Sequence, residues 1–112
     1  MDCPYTGKGE EFSPTNLVES ALGGCMLMAM GTYAIQHNID LTGTKMDVHI
    51  TATHKPIMRF DEVEVIVTMP EGISEKTGKR LERAAEGCPI KNSLAEGIPV
   101  RVKYLYNSYA KA

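Results

Sequence analysis

Cys25 and Cys88 are the residues of this chain whose type and setting best suit a reaction. Cys25 follows Gly23-Gly24 inside a segment that is apolar on nearly every side. Cys88 opens Cys88-Pro89-Ile90, where one helix is expected to stop and another to start. The two lie far apart in sequence, so only the folded chain can join them into a dithiol that is oxidised and reduced. Each also has a packing explanation. Leu81, Ala84, Ala85 and Cys88 fall at i, i+3, i+4 and i+7, so Cys88 also completes an apolar helical stripe. Cys25 stands mid-helix among apolar neighbours, which raise a thiol's pKa, and by spacing alone it reads as an inert core cysteine unless a cation approaches it. For Cys88 the following proline favours an extended backbone. That places it at the cap of a helix opening at Pro89, where free N–H groups and the positive helix end are expected to lower its pKa.

No other group competes. His49 and His54 are five apart on an expected strand and face opposite sides, so they do not share a metal. His37 falls near a helix C-terminus, where an imidazolium is favoured without any catalytic role. No clustered His/Cys spacing suggests zinc, and neither Gly7-Lys8-Gly9 nor Gly23-Gly24 stands between a strand and a helix as a phosphate loop must. No metal or cofactor is therefore expected. Cys3, in a Gly/Pro-rich opening, is incidental. Glu71, Glu75 and Glu82, interleaved with Lys76, Lys79 and Arg83, read as the solvated face of a helix and its approach.

The elements that must position the cysteines follow from capping and periodicity. Residues 1–12 read as a loop. Ser13-Pro14 starts a helix well, with Ser13 as cap, Pro14 at the first position and Phe12 stapled against Leu17. The helix runs to about His37-Asn38, where Asn suits the left-handed end. Because Ala21–Ile35 has no polar face, it must be covered on all sides, which marks it as the central core helix. It is shorter than a membrane span of ~20 apolar residues and carries three glycines. A chain of 112 residues would struggle to wrap it alone, which points to a dimer. Two strands of period two follow, Lys45–His54 and Met58–Met69, with Lys55-Pro56-Ile57 as their turn. One polar face each suggests an antiparallel sheet packed on one side. Ser74 caps a second helix ended by Gly87, Pro89 opens a short helix to about Ala95, and a last strand covers Val100–Tyr106. Residues 1–112 read as a single domain in the order loop, long helix, two strands, two helices and strand, without repeats or linkers.

Composition narrows the rest. A net charge of −2 gives no electrostatic reason to expect nucleic acid or an anionic membrane as partner. The opening Met1-Asp2-Cys3-Pro4 lacks the apolar run of a signal peptide, so the cytoplasm is the expected location. Three cysteines, an odd number, argue against a structural disulfide framework there.

Phe12-Ser13-Pro14-Thr15-Asn16-Leu17 followed by Ala21-Leu22-Gly23-Gly24-Cys25-Met26 resembles the central helix of the OsmC/Ohr family of osmotically inducible and organic-hydroperoxide-resistance proteins. Cys88-Pro89-Ile90-Lys91-Asn92-Ser93-Leu94 is similar to the family's second cysteine motif, and the elements between the motifs match in order and spacing. The resemblance implies an OsmC-like α+β fold in which two chains intertwine as a homodimer around buried long helices. It also implies a thiol peroxidase. Cys25 would be oxidised by an organic hydroperoxide to a sulfenic acid, Cys88 would condense with it to a disulfide, and an external lipoyl-type dithiol would reduce that. Two positions depart from the family's peroxidases. Thr15 stands where they hold a glutamate, ten positions before the first cysteine. Arg59, Arg80, Arg83 and Arg101 do not match their arginine, which comes from an N-terminal strand not expected in this chain. The closest likeness is to the OsmC-like branch. The competing expectation is a non-catalytic dimer of the same fold, binding a small apolar ligand or serving as a structural partner.

Overall fold

The computed structural model describes residues 13–106. The expected opening loop, with Cys3 and the Phe12 partner of Leu17, lies outside the described residues. Helix α1 spans Pro14–His37. Its start is the expected one: Ser13 Oγ accepts the Asn16 N–H at 3.1 Å, and Asn16 Oδ1 accepts the Ser13 N–H at 3.1 Å. This reciprocal box satisfies two backbone donors that the helix itself leaves unpaired. Asn38 closes the other end in the left-handed conformation, φ 55° and ψ 45°, a backbone that asparagine tolerates better than most residues.

Strands β1 (Lys45–Thr53) and β2 (Arg59–Thr68) pair antiparallel, as their alternation predicts. The register slips between Thr51 and Ala52. That slip moves the following residues to the opposite face, so Ala52 is exposed and Thr53 half-buried, the reverse of the expected alternation. Helices α2 (Glu75–Ala85, capped by Ser74) and α3 (Pro89–Leu94) then carry the chain back to β3 (Val100–Leu105). Here the expected all-antiparallel sheet is corrected. The order is β1-β2-β3, and β3 pairs with β2 in parallel, giving a mixed sheet. A helical crossover returns the chain to its starting edge, so the next strand runs in the same direction. Period-two patterning reports which face is buried and is silent on direction.

The sheet and α2 pack on one side of α1. Leu22, Met26, Met30 and Ala34, four apart, form the buried row of the helix, with Gly23 beside it. Val63, Val65 and Val67 of β2 and Leu81 and Ala85 of α2 meet that row. Gly23 permits a close approach to β1: a Cβ there would lie 3.1 Å from Val48 Cγ2 and 3.2 Å from Met46 Cγ.

One expectation fails within the single chain. The apolar helix is not covered all round. Met28 is 74% and Ile35 82% exposed, and Leu17 and Leu27 are also open. At 24 residues α1 is long and apolar enough to cross a membrane by length and composition, yet its other face forms the centre of the core.

Candidate active site

The second cysteine is positioned by the corner between α2 and α3. After Ala85 the chain turns through Glu86 and Gly87, and the Cys88 N–H donates to the Ala85 carbonyl at 3.2 Å. Cys88 then takes the extended conformation its proline favours, φ −65° and ψ 120°, and becomes the N-cap of α3. Its sulfur accepts the Lys91 N–H at 3.4 Å and its carbonyl accepts the Asn92 N–H at 3.0 Å. The side chain is fully buried.

Cys25, on α1, is half-buried and packs against the core beside it. Both thiols are free, and they lie within hydrogen-bonding reach of one another. Folding thus brings together the two cysteines that the sequence singled out. The expected lowering of the Cys88 pKa is not found. Burial raises it, and so does Cys25, first through a side-chain hydrogen bond that favours the protonated Cys88 and last through charge repulsion. The Lys91 and Ile90 N–H groups pull the other way and are outweighed. The cap forms as expected, but one turn of helix in a dry corner does not offset desolvation of the sulfur. The surroundings of Cys88 thus favour its protonated form.

A polar network, which sequence reasoning missed, fastens this corner. Lys91 Nζ pairs with Glu86 Oε1, the Tyr104 hydroxyl donates to Glu86 Oε2 at 2.6 Å, and Asn92 Nδ2 donates to the Glu86 carbonyl at 3.2 Å. One turn earlier, Tyr106 donates to Glu82. Burial pushes the Glu86 carboxyl up, but the bonds from Lys91 and Tyr104 outweigh it and hold the pKa below the usual carboxylate range. Tyr104 and Tyr106 are raised, first by burial and then by the carboxylates they donate to. The signal was present in the sequence. Tyr104 and Tyr106 share the inward face of the last strand with Val100 and Val102, and Glu82 and Glu86 share one face of α2.

The remaining candidates lie apart from the thiols. His37 donates through Nδ1 to the Tyr33 carbonyl at 2.9 Å and stacks on the Tyr33 ring with centroids 4.0 Å apart, a local role at the helix end. His49 is exposed on β1, and His54 lies beyond the strand end. Thr15 is half-buried in the first turn of α1. The nearby carboxylate is Glu19, which accepts the Ile50 N–H of β1 at 2.9 Å and the Asn16 amide at 3.1 Å, so it ties the helix to the sheet.

A family model for OsmC-like proteins matches residues 7–103, and the chain belongs to that family. Among solved structures it is similar to a protein of Psychrobacter arcticus named for osmotic stress induction and detoxification response. The two are 34% identical with a TM-score of 0.81, over 93% of this chain and 77% of that one. It is also similar to the organic hydroperoxide resistance protein OsmC of Legionella pneumophila, at 20% identity and TM-score 0.74, covering 94% of this chain and 77% of that one. The organic hydroperoxide resistance protein OhrB of Bacillus subtilis matches at 15% identity and TM-score 0.71, over 93% and 79%. The last two show the fold alone. A comparison with curated proteins gives no match.

Proposed function

We propose that this single-domain protein is a cytoplasmic thiol peroxidase that reduces organic hydroperoxides in oxidative stress defence, with Cys25 attacking and Cys88 resolving. The observation that carries the reading is the asymmetry of the thiol pair: Cys25 is partly open to solvent, and Cys88 beside it is sealed. That asymmetry supports Cys25 as the thiol a peroxide reaches and Cys88 as the thiol that reacts next. Membership of the OsmC-like family, and the hydroperoxide-resistance names of fold neighbours, support the substrate class.

The Cys25 thiolate attacks one peroxide oxygen. An S–O bond forms, the O–O bond breaks, and the alkoxide leaves and takes a proton to become the alcohol. Cys25 is then a sulfenic acid. The Cys88 sulfur attacks the Cys25 sulfur, and the displaced hydroxide leaves with the Cys88 proton as water. An external dithiol of the lipoyl type reduces the resulting disulfide and is itself oxidised to a disulfide. Cys25→Ser is expected to abolish turnover of an alkyl hydroperoxide, and unchanged turnover overturns the assignment.

The reading includes a homodimer through α1. Leu17, Ala21, Gly24, Met28, Gly31 and Ile35, at alternating steps of four and three, form an apolar stripe on the open face of the helix. This is the spacing of a helix–helix seam. Among the described residues nothing lies within 4 Å of a Cβ added at Gly24 or Gly31, so no packing among them requires glycine there. A second helix seated on the stripe would.

A further inference from the structure

Helix α2 sorts its charges by side. Glu82 and Glu86 face β3 and are engaged by Tyr106, Tyr104 and Lys91. Arg80 and Arg83 lie towards α1, where they line a cavity of about 230 Å³ with Tyr33 and Ala84. Among the described residues no carboxylate lines that cavity. Among the described residues neither guanidinium has an ion pair or hydrogen bond, whereas Lys79, Lys91 and Arg101 each meet a glutamate. Exposed arginines on a helix are ordinarily a solvated face. These two differ in sharing a concave site against a second helix, whose Tyr33 ring is held from behind by His37.

The cavity stands in register with the thiols. Cys25, Ala29 and Tyr33 follow one another at i, i+4 and i+8 on α1, all half-buried. Cys25 and Tyr33 are therefore on neighbouring parts of one flank, about 12 Å apart along the axis. On the facing side, Arg83 and Ala84 lie about one turn before the corner that carries Cys88. Along the packed helices α1 and α2 the dithiol thus lies towards one end, and the cavity with its two unpaired guanidinium groups towards the other.

We propose that Arg80 and Arg83, with Tyr33 as the wall, form a carboxylate subsite that anchors a hydroperoxide whose peroxide end reaches Cys25. The proposal rests on the peroxidase reading and adds a specificity to it. Paired guanidinium forks match a carboxylate in both charge and planar geometry. The span to Cys25 then asks for a medium-chain acid with the peroxide near its far end.

The test compares kcat/KM for ω-hydroperoxydecanoate with that for its methyl ester. The wild type should favour the acid by about tenfold or more. In Arg80→Gln/Arg83→Gln the acid/ester ratio should fall to near unity. Lys79→Gln, which removes one charge of the same sign from a paired site on α2, should keep it. A ratio near unity in the wild type, or one retained in the double variant, overturns the subsite. Protection of Cys25 from iodoacetamide by decanoate, against methyl decanoate, reads the subsite without turnover. Should neither hydroperoxide be turned over, the peroxidase reading falls. The subsite is then supported by decanoate protection that the double variant loses, and overturned by equal protection from acid and ester.

Discussion

Lys91 serves Cys88 twice: its backbone N–H donates to the Cys88 sulfur at 3.4 Å, and its ammonium pairs with Glu86 at the end of the preceding helix. The side chain thereby fixes the backbone that holds the thiol. Lys91→Gln keeps the backbone donor and removes the ion pair. It is expected to cost about 1 kcal/mol, because the pair is partly solvent-screened, and to slow disulfide formation after Cys25 oxidation more than the oxidation itself. Denaturant unfolding and two-phase thiol-loss kinetics check both outcomes.

Glu86 also sets a pH dependence. Its folded pKa lies below the ordinary carboxylate value, so the ionised form is favoured by folding. That stabilisation is full above the ordinary carboxylate pKa and is lost as pH falls through the lowered value. Glu86→Gln should be less stable than wild type near neutral pH, and the gap should narrow in acid. Urea midpoints across an acid pH series measure this, and a gap independent of pH contradicts it.

Adjacent glycines on α1 should respond in opposite ways. A Cβ at Gly23 meets Val48 and Met46 at 3.1 and 3.2 Å, so Gly23→Ala should push β1 away and cost about 1–3 kcal/mol. A Cβ at Gly24 meets nothing within 4 Å among the described residues. In an isolated chain Gly24→Ala should gain up to about 1 kcal/mol of helix propensity. In the proposed dimer it should instead weaken association, as should Met28→Asp, which places a charge on the seam. Sedimentation equilibrium with thermal unfolding at two concentrations separates these cases.

Capping residues and periodicity made the elements readable in the sequence. Ser13, Asn38, Ser74 and Pro89 mark helix ends by local chemistry, and each stands at its expected boundary. Strand direction was not readable, because Val100, Val102 and Tyr104 alternate alike in parallel and antiparallel pairing. The slip at Thr51/Ala52 escaped because one extra residue leaves no mark in composition. Motif context singled out the thiol pair, but the sign of the Cys88 shift depended on how deeply the corner is buried. The partners of Glu86 were hidden for a related reason: Tyr104 lies eighteen positions away, across a crossover.

Cys88→Ser tests the division of labour between the thiols. With the resolving sulfur removed, an alkyl hydroperoxide should oxidise Cys25 once and stop at a sulfenic acid, trapped by dimedone as a single adduct. Continued turnover at the wild-type rate would show that Cys88 has no part in the cycle.

The most direct measurement is stopped-flow thiol loss with cumene hydroperoxide beside hydrogen peroxide, followed by peptide mapping of the oxidised protein. Fast loss with the organic peroxide, and a Cys25–Cys88 disulfide in the map, are the expected results. Slow loss with both peroxides, with the two cysteines recovered as free thiols, contradicts the peroxidase reading and leaves a binding or structural role for the fold.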